Sequence, residues 1–430
     1  MAKLLNKVKH LSRTVLHLLV RLFGVRGAYV ATKQARQPLS KKPRILLVHP
    51  GHLGSLVMTT PLFHTLKVYA PGAHVTVMVG PWSREVLAVH PDIDQLITYS
   101  FPSNRDGTSL GLKSYFLLIN AAKELRCGNY DLAINLRPNF WWGVALLYLA
   151  RIPRRVGYAV NECRPLLTEA LPLPSREHRT ISYLRLLSAG LSAMGYSSLK
   201  EPYTVERYPL HFVPTAQECQ WIAECLSRDG FDSSTPFVVI HPGTGGAVKL
   251  WRSEGWATCA TALAQSAIDG ISLRVILTGS KSERPLLEKI ASSVPFPTTI
   301  MTNMTLGQLA ALLQRAQLVL GVDSGPLQLA VAQGTPTIQI FGPTDPATFG
   351  PWGKKEQHVV VASIHRCPTC PIIPCMGDLL PKNPVSHPCT RLVPEQDVLT
   401  AISRQFPHLL LNQENNIVRG DGKLINLMRQ

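Results

Sequence analysis

"LVLGVDSGPLQLAVAQGTPTIQIFGPTDPATFGPWG", residues 318–353, reads as one strand, one helix and a second strand. The first apolar run ends at Asp323, Ser324 and Gly325 follow, and Pro326 stands in the first helical turn. Proline at that position is pre-organised for a helix, and Ser or Asp just before it caps the free amides. Those amides, with the positive end of the helix dipole, make an anion site typically worth roughly 0.3 to 2 kcal/mol. The second strand, PTIQIFGP (336–343), again ends in a glycine-proline turn.

The same rhythm extends in both directions. PFVVIHPG (236–243) and LRVILTG (273–279) read as strands before QLVLGVD (317–323). An earlier series comprises RILLVH (44–49), HVTVMVG (74–80), QLITYS (95–100) and DLAINL (131–136), with helical patterns between them. Strands alternating with helices indicate a parallel sheet covered on both faces. The fold expected is therefore α/β, with two doubly wound parallel-sheet halves. Residues 172–215, rich in proline and charge, read as the linker and include a helix-like ISYLRLLSAGL. The expected division is an arm (1–43), an N-terminal domain with linker (44–205), a C-terminal domain (206–405) and a tail (406–430). In open α/β sheets ligands bind beyond the carboxyl ends of the strands, which points to the cleft between the halves.

A net charge of +17 on 430 residues invites a nucleic-acid reading until the charge is located. Residues 1–44 hold 11 Lys or Arg and no Asp or Glu, leaving 33 basic against 27 acidic side chains elsewhere. The excess is thus confined to the arm, and no aromatic stacking module accompanies it, so no nucleic-acid partner is expected. Within the arm Leu4, Val8, Leu11, Val15, Leu18 and Leu22 fall on one helical face, and Lys3, Lys7, His10, His17 and Arg21 on another. The pattern suits an interfacial helix through residues 1–25 on an anionic membrane surface. A helix packed on the body and a targeting segment are the alternatives; Arg13 and Arg21 interrupt the apolar run and no A-x-A site follows, which disfavours a secretory signal. No apolar stretch approaches the roughly 20 residues of a spanning helix. Four of nine cysteines gather in "CPTCPIIPCMGDLLPKNPVSHPC": Cys367, Cys370, Cys375 and Cys389. The first pair has metal-ligand spacing and the second does not, so a structural zinc site, buried thiols and one disulfide all stay open.

A second glycine-rich stretch, HPGTGGAVKLW (241–251), closes the first strand of the C-terminal half. Its glycines allow close backbone approach and Lys249 supplies a point charge, although the spacing is not that of a P-loop. Joined to residues 318–353, and to GHLGSLVMTTP (51–61), YDLAINL (130–136), RIPRRVGY (151–158) and LTGSKSE (277–283), it resembles glycosyltransferase family 9, the lipopolysaccharide heptosyltransferases. The resemblance runs over residues 44–405. It implies a GT-B architecture of two Rossmann-like domains facing a cleft. The C-terminal half would take a nucleotide-diphosphate sugar, usually ADP-heptose, and the N-terminal half a glycolipid acceptor of the lipopolysaccharide-core type. By the same resemblance Thr244 and Lys249 contact the diphosphate, Glu283 the ribose or base, and Asp323, Ser324 and Gly325 the sugar and phosphates. The implied reaction inverts the anomeric centre, uses no cofactor and no catalytic metal, and takes place at the inner face of the cytoplasmic membrane on a peripheral protein.

Three positions depart from the family pattern. Ser55 stands where an Asp usually serves as base, Gln328 where a His is common, and Asn135 where an Asp often ends the strand. A serine cannot act as base at neutral pH without a partner. Four readings follow. His52, the nearest titratable side chain, substitutes for the carboxylate; the departing diphosphate takes the proton late; the chain retains sugar-nucleotide binding without catalysis, as a silent or scaffold protein; or the turn is aligned one residue off.

Overall fold

A computed structural model describes residues 2–34, 39, 42–102, 112–364 and 389–410. Cys367, Cys370 and Cys375 lie outside the described residues. Two six-stranded parallel sheets form the framework. The first contains β1 (Arg44–His49), β2 (His74–Val79), β3 (Gln95–Thr98), β4 (Leu132–Asn135), β5 (Arg154–Tyr158) and β6 (Glu169–Leu171) in the order β3-β2-β1-β4-β5-β6. The second contains β7 (Phe237–His241), β10 (Arg274–Gly279), β11 (Thr298–Thr302), β12 (Leu318–Val322), β13 (Thr337–Phe341) and β14 (His358–Ala362) in the order β11-β10-β7-β12-β13-β14. A small antiparallel hairpin, β8 (Ala267–Ile268) with β9 (Ile271–Ser272), branches off before β10.

Both sheets have the doubly wound order, and helices cover both faces. In β1, Ile45 and Leu47 join one apolar cluster while Leu46 and Val48 join another, as period-two alternation between two buried faces requires. The cluster holding Ile45 and Leu47 also includes Leu306, Val319 and Leu327 of the second half, so the two halves share apolar contacts. The chain order reverses between β1 and β4 in one sheet and between β7 and β12 in the other. The glycine-rich turns after β1 and β7 and the Asp-Ser-Gly turn after β12 lie at these reversals, whereas LTGSKSE runs into the turn after β10 and the Gly342-Pro343 turn follows β13.

Helix Arg179–Ala193, within the stretch read as linker, packs against β4, β5 and β6, and Tyr158 Oη donates to the Ser182 carbonyl at 2.7 Å. The arm is a helix, Ala2–Gln34, that rests on the body, the alternative set beside an interfacial helix. His17, grouped by spacing with the basic face, is instead buried, its ring stacked on Trp141 at 3.7 Å. A planar imidazole packs as an aromatic ring, which a charge-based reading of the helix overlooks.

Candidate functional site

The candidate donor side is built on β7, β10 and β12. Lys249 closes the turn Ala247–Lys249 after β7 and places its Nζ 2.6 Å from Oδ2 of Asp323, the residue that follows β12. Thr344, after β13, donates to the same Oδ2 at 2.6 Å. The carboxylate is thus held from two sides while 11% of its side chain stays exposed. Ser324 is the N-cap of helix Gly325–Ala332, yet its side chain makes no capping bond, and its Oγ is buried with no hydrogen bond among the described residues. The first amides of a helix have no intrahelical acceptor. A cation, a hydroxyl donor and these amides therefore converge at one strand-helix junction, an arrangement suited to a diphosphate.

Glu283 lies at the neighbouring strand end. Its carboxylate accepts from the Ser280 amide at 2.7 Å and the Ser280 hydroxyl at 2.8 Å. A Cβ on Gly243 would collide with that carboxylate, so Glu283 is directly above the end of β7. Thr244 is half-buried in the glycine turn next to it. Below them His241 pairs with Thr278 Oγ1 at 3.0 Å, and burial lowers its pKa to about 4. The six donor residues named from sequence thus occupy adjacent strand ends of one sheet.

The opposing wall is the turn after β1. Ser55 Oγ donates to the His52 carbonyl at 2.8 Å, so its lone pairs remain open to an incoming hydroxyl. His52 is exposed at the N-cap of helix Leu53–Val57, its ring 6.0 Å from that of Trp82. Trp82 Nε1 and Ser83 Oγ both donate to the Gly51 carbonyl, at 2.9 and 3.1 Å. Beneath the turn His49 Nδ1 accepts from the Gly51 amide at 3.0 Å, and its Nε2 meets Tyr183 Oη at 3.0 Å. Burial, with Arg137 and Arg179 nearby, lowers the His49 pKa to about 3, so the ring is neutral with its proton on Nε2. Asn135, at the end of β4, donates to the Arg137 carbonyl at 2.8 Å.

The two walls meet through glycines. A Cβ on Gly54 would sit 3.2 Å from Gly325 Cα, and one on Gly325 would lie 3.1 Å from the Gly54 amide and collide with Leu53. The absence of side chains at both positions lets the turn after β1 touch the start of helix Gly325–Ala332. Gln328 fills the adjacent space, donating from Nε2 to the Phe349 carbonyl at 3.0 Å. On the far side of the junction Arg176 pairs with Asp345 at 3.1 Å and His178 Nε2 donates to the Gly350 carbonyl at 3.0 Å.

Sequence reasoning missed His49, Tyr183 and Thr344. His49 carried a signal, a polar residue closing an otherwise apolar strand; Tyr183 and Thr344 are brought in only by the tertiary fold. Among the described residues, no group of three or more His, Cys, Asp or Glu is arranged to hold a metal ion, and Cys389 is buried before the turn Thr390–Leu392.

The family model for glycosyltransferase family 9 (heptosyltransferase) matches residues 118–372. Lipopolysaccharide heptosyltransferase 3 of Escherichia coli K12 is 27% identical over 370 residues, covering 82% of this chain and 95% of its own length. Lipooligosaccharide heptosyltransferase 2 of Haemophilus influenzae is 25% identical, covering 72% of this chain and 86% of that one. Two solved structures share the fold. A family 9 glycosyltransferase of Veillonella parvula has a TM-score of 0.68 at 21% identity, over 86% of this chain and 98% of its own. The ADP-heptose lipopolysaccharide heptosyltransferase II of E. coli has a TM-score of 0.62 at 20% identity, over 84% and 98%.

Proposed function

The chain belongs to glycosyltransferase family 9 and is a glycosyltransferase; from this premise we propose that it moves heptose from ADP-heptose to a glycolipid acceptor of the lipopolysaccharide-core type, with inversion. The observation that carries the reading is the meeting of Lys249, Asp323, Ser324 and Gly325 with the Ser55 turn across one glycine contact. Lys249 and the amides of helix Gly325–Ala332 hold the diphosphate. Thr244 supports it from the glycine turn, and Glu283 faces the ribose or base.

The acceptor hydroxyl attacks the anomeric carbon from the side opposite the diphosphate. The new carbon–oxygen bond forms as the bond to the diphosphate breaks, and charge developing on the leaving group falls on Lys249 and the helix start. In this scheme Lys249 and the amides supply the positive charge, so no metal or cofactor takes part. The attacking hydroxyl gives its single proton to the His52 imidazole, while Ser55, whose own proton is held on the His52 carbonyl, lines the same turn beside it. The N-terminal residues 1–25 hold the protein as a peripheral protein at the anionic inner face of the cytoplasmic membrane, where such an acceptor resides. Among the described residues no helix is long and apolar enough to cross a membrane.

A thermal-shift panel of nucleoside diphosphates tests the donor assignment: ADP and ADP-heptose should raise Tm more than UDP or GDP. Equal stabilisation by all of them would remove ADP-heptose as the donor. The competing reading, a silent sugar-nucleotide binder, rests on Ser55. It would gain support from a wild-type protein that binds donor without transfer and acquires transfer on Ser55→Asp.

A further inference from the structure

Among its described side chains, between Val15 and Lys33, helix Ala2–Gln34 turns most of the large apolar ones away from the protein. It rests on the body through His17, Val20, Gly24, Ala28 and Ala31, all buried and recurring every three or four residues. At Gly24 the approach is closest: a Cβ there would collide with the ring of Tyr148, whose hydroxyl donates to the Arg21 carbonyl at 2.9 Å. On the opposite side Val15, Leu18, Leu22, Val25 and Tyr29 are each about half exposed or more, and Phe23 beside them is 84% exposed. At 100° per residue the two sets lie on opposed faces. Small residues inward and large apolar residues outward is the reverse of a helix that folds onto its own domain.

Two observations say what covers the outward face. Residues 1–44 contain 11 Lys or Arg and no acid, and Arg21, Arg26 and Lys33 are exposed among the apolar side chains. A large apolar face bordered by cations alone complements an anionic lipid surface. A second helix, Leu112–Arg126, belongs to the same apolar cluster over the same face of the first sheet, and it exposes Phe116 and Ile119. Both helices pack against helix Trp141–Leu149, every residue of which is buried.

We propose that the outward faces of helices Ala2–Gln34 and Leu112–Arg126 together form one docking surface for an anionic bilayer. The apolar side chains enter the interfacial layer, and the Lys and Arg heads meet lipid phosphates. This rests on the reading that the acceptor is membrane-linked, and it extends the contact beyond the basic N-terminal segment to a second helix of the acceptor domain.

The test is cosedimentation of the full chain with vesicles of phosphatidylglycerol and phosphatidylethanolamine, and with phosphatidylcholine alone. Wild type should bind the anionic vesicles, and neutral vesicles at least about tenfold more weakly. Leu18→Glu/Leu22→Glu and, independently, Phe116→Glu/Ile119→Glu should each weaken anionic-vesicle binding at least about tenfold, with Tm and transfer to a delipidated acceptor saccharide unchanged. Leu18→Gln/Leu22→Gln gives a milder pair should the charged pair misfold, with a smaller loss expected. No binding by wild type, or wild-type binding in the Phe116/Ile119 pair, overturns the two-helix surface. So does a wild-type dimer that Leu18→Glu/Leu22→Glu converts to monomer, which would give the face to a second copy of the chain. Vesicle binding without transfer to the soluble saccharide defeats the transferase reading and leaves the surface standing; the converse defeats the surface alone.

Discussion

Replacing Lys249 by Met removes the cation from the donor site at little change in side-chain length. In the ligand-free protein Nζ pairs with Asp323 Oδ2 at 2.6 Å, with 28% and 11% of the two side chains exposed. Partial exposure screens this pair, and its loss should cost folding stability on the order of 1 kcal/mol or less. Thr344 still donates to Asp323, which limits the damage. Donor binding should suffer more. A hydrogen bond to a charged partner contributes about 1.5 to 3 kcal/mol, and in the variant the Asp323 carboxylate faces the diphosphate uncompensated. Since Lys249 gives up part of its bond to Asp323 when donor binds, the lower part of that range applies, about 10- to 50-fold in Kd. Isothermal titration with ADP reads this directly, with adenosine as the control that carries no phosphate. Asp323→Asn added to Lys249→Met should recover part of the ADP affinity by removing the uncompensated charge. An ADP Kd within about twofold of wild type in a folded Lys249→Met protein, or an equal loss for adenosine, would refute the diphosphate role.

Gly325→Ala should reduce transfer at least about tenfold with little change in Tm, because its Cβ collides with Leu53 and presses on the Gly54 amide; Leu53→Ala in the same chain should restore part of the rate. Buried neutral histidines make stability sensitive to acid. His49, His178 and His241 have folded pKa values lowered to about 3, 4 and 4, so the unfolded chain binds protons below about pH 6.5 that the folded chain refuses. Their stabilisation is fully present above that pH and is lost as pH falls toward 4, together about 3 kcal/mol between pH 6 and 5, measurable by urea titration. His49→Gln, whose amide can still serve Gly51 and Tyr183, should flatten that slope by about 1.4 kcal/mol per pH unit. An unchanged slope would mean that His49 is not the buried neutral group described. His52→Ala should lower kcat for transfer while leaving the ADP Kd unchanged; equal activity would pass the proton to the leaving diphosphate instead.

Much of this architecture is written locally. RILLVH forms β1 residue for residue, and the two strands of the 318–353 stretch each lie within a residue or two of their expected ends. Other strands are hidden by their composition. Arg154 and Arg155 open β5 and look like surface residues, yet both are buried, with their guanidinium groups donating to the carbonyls of Ala193, Leu166 and Ile152. Those acceptors are defined only once the chain has folded. The candidate donor site can be picked out because a glycine cluster and a proline in the first turn of a helix are local signals. The pairing of Lys249 with Asp323 spans 74 residues, and that of His49 with Tyr183 spans 134, so no spacing rule exposes either. The N-terminal helix shows the limit of periodicity most plainly: its stripe of large apolar residues is visible in the sequence, but the docked face is made of glycine, alanine, one valine and a stacked histidine.

The central claim is that Ser55 occupies the position of the usual carboxylate in an enzyme that still transfers sugar. The most direct measurement is incubation of the purified wild-type chain with ADP-heptose and a lipopolysaccharide-core acceptor in the presence of a chelator, followed by mass spectrometry of the acceptor and quantification of ADP. The expected result is one added heptosyl residue per acceptor with matching ADP release and inverted anomeric configuration. Donor binding without any transfer, or transfer abolished by the chelator and restored by a divalent cation, would contradict it.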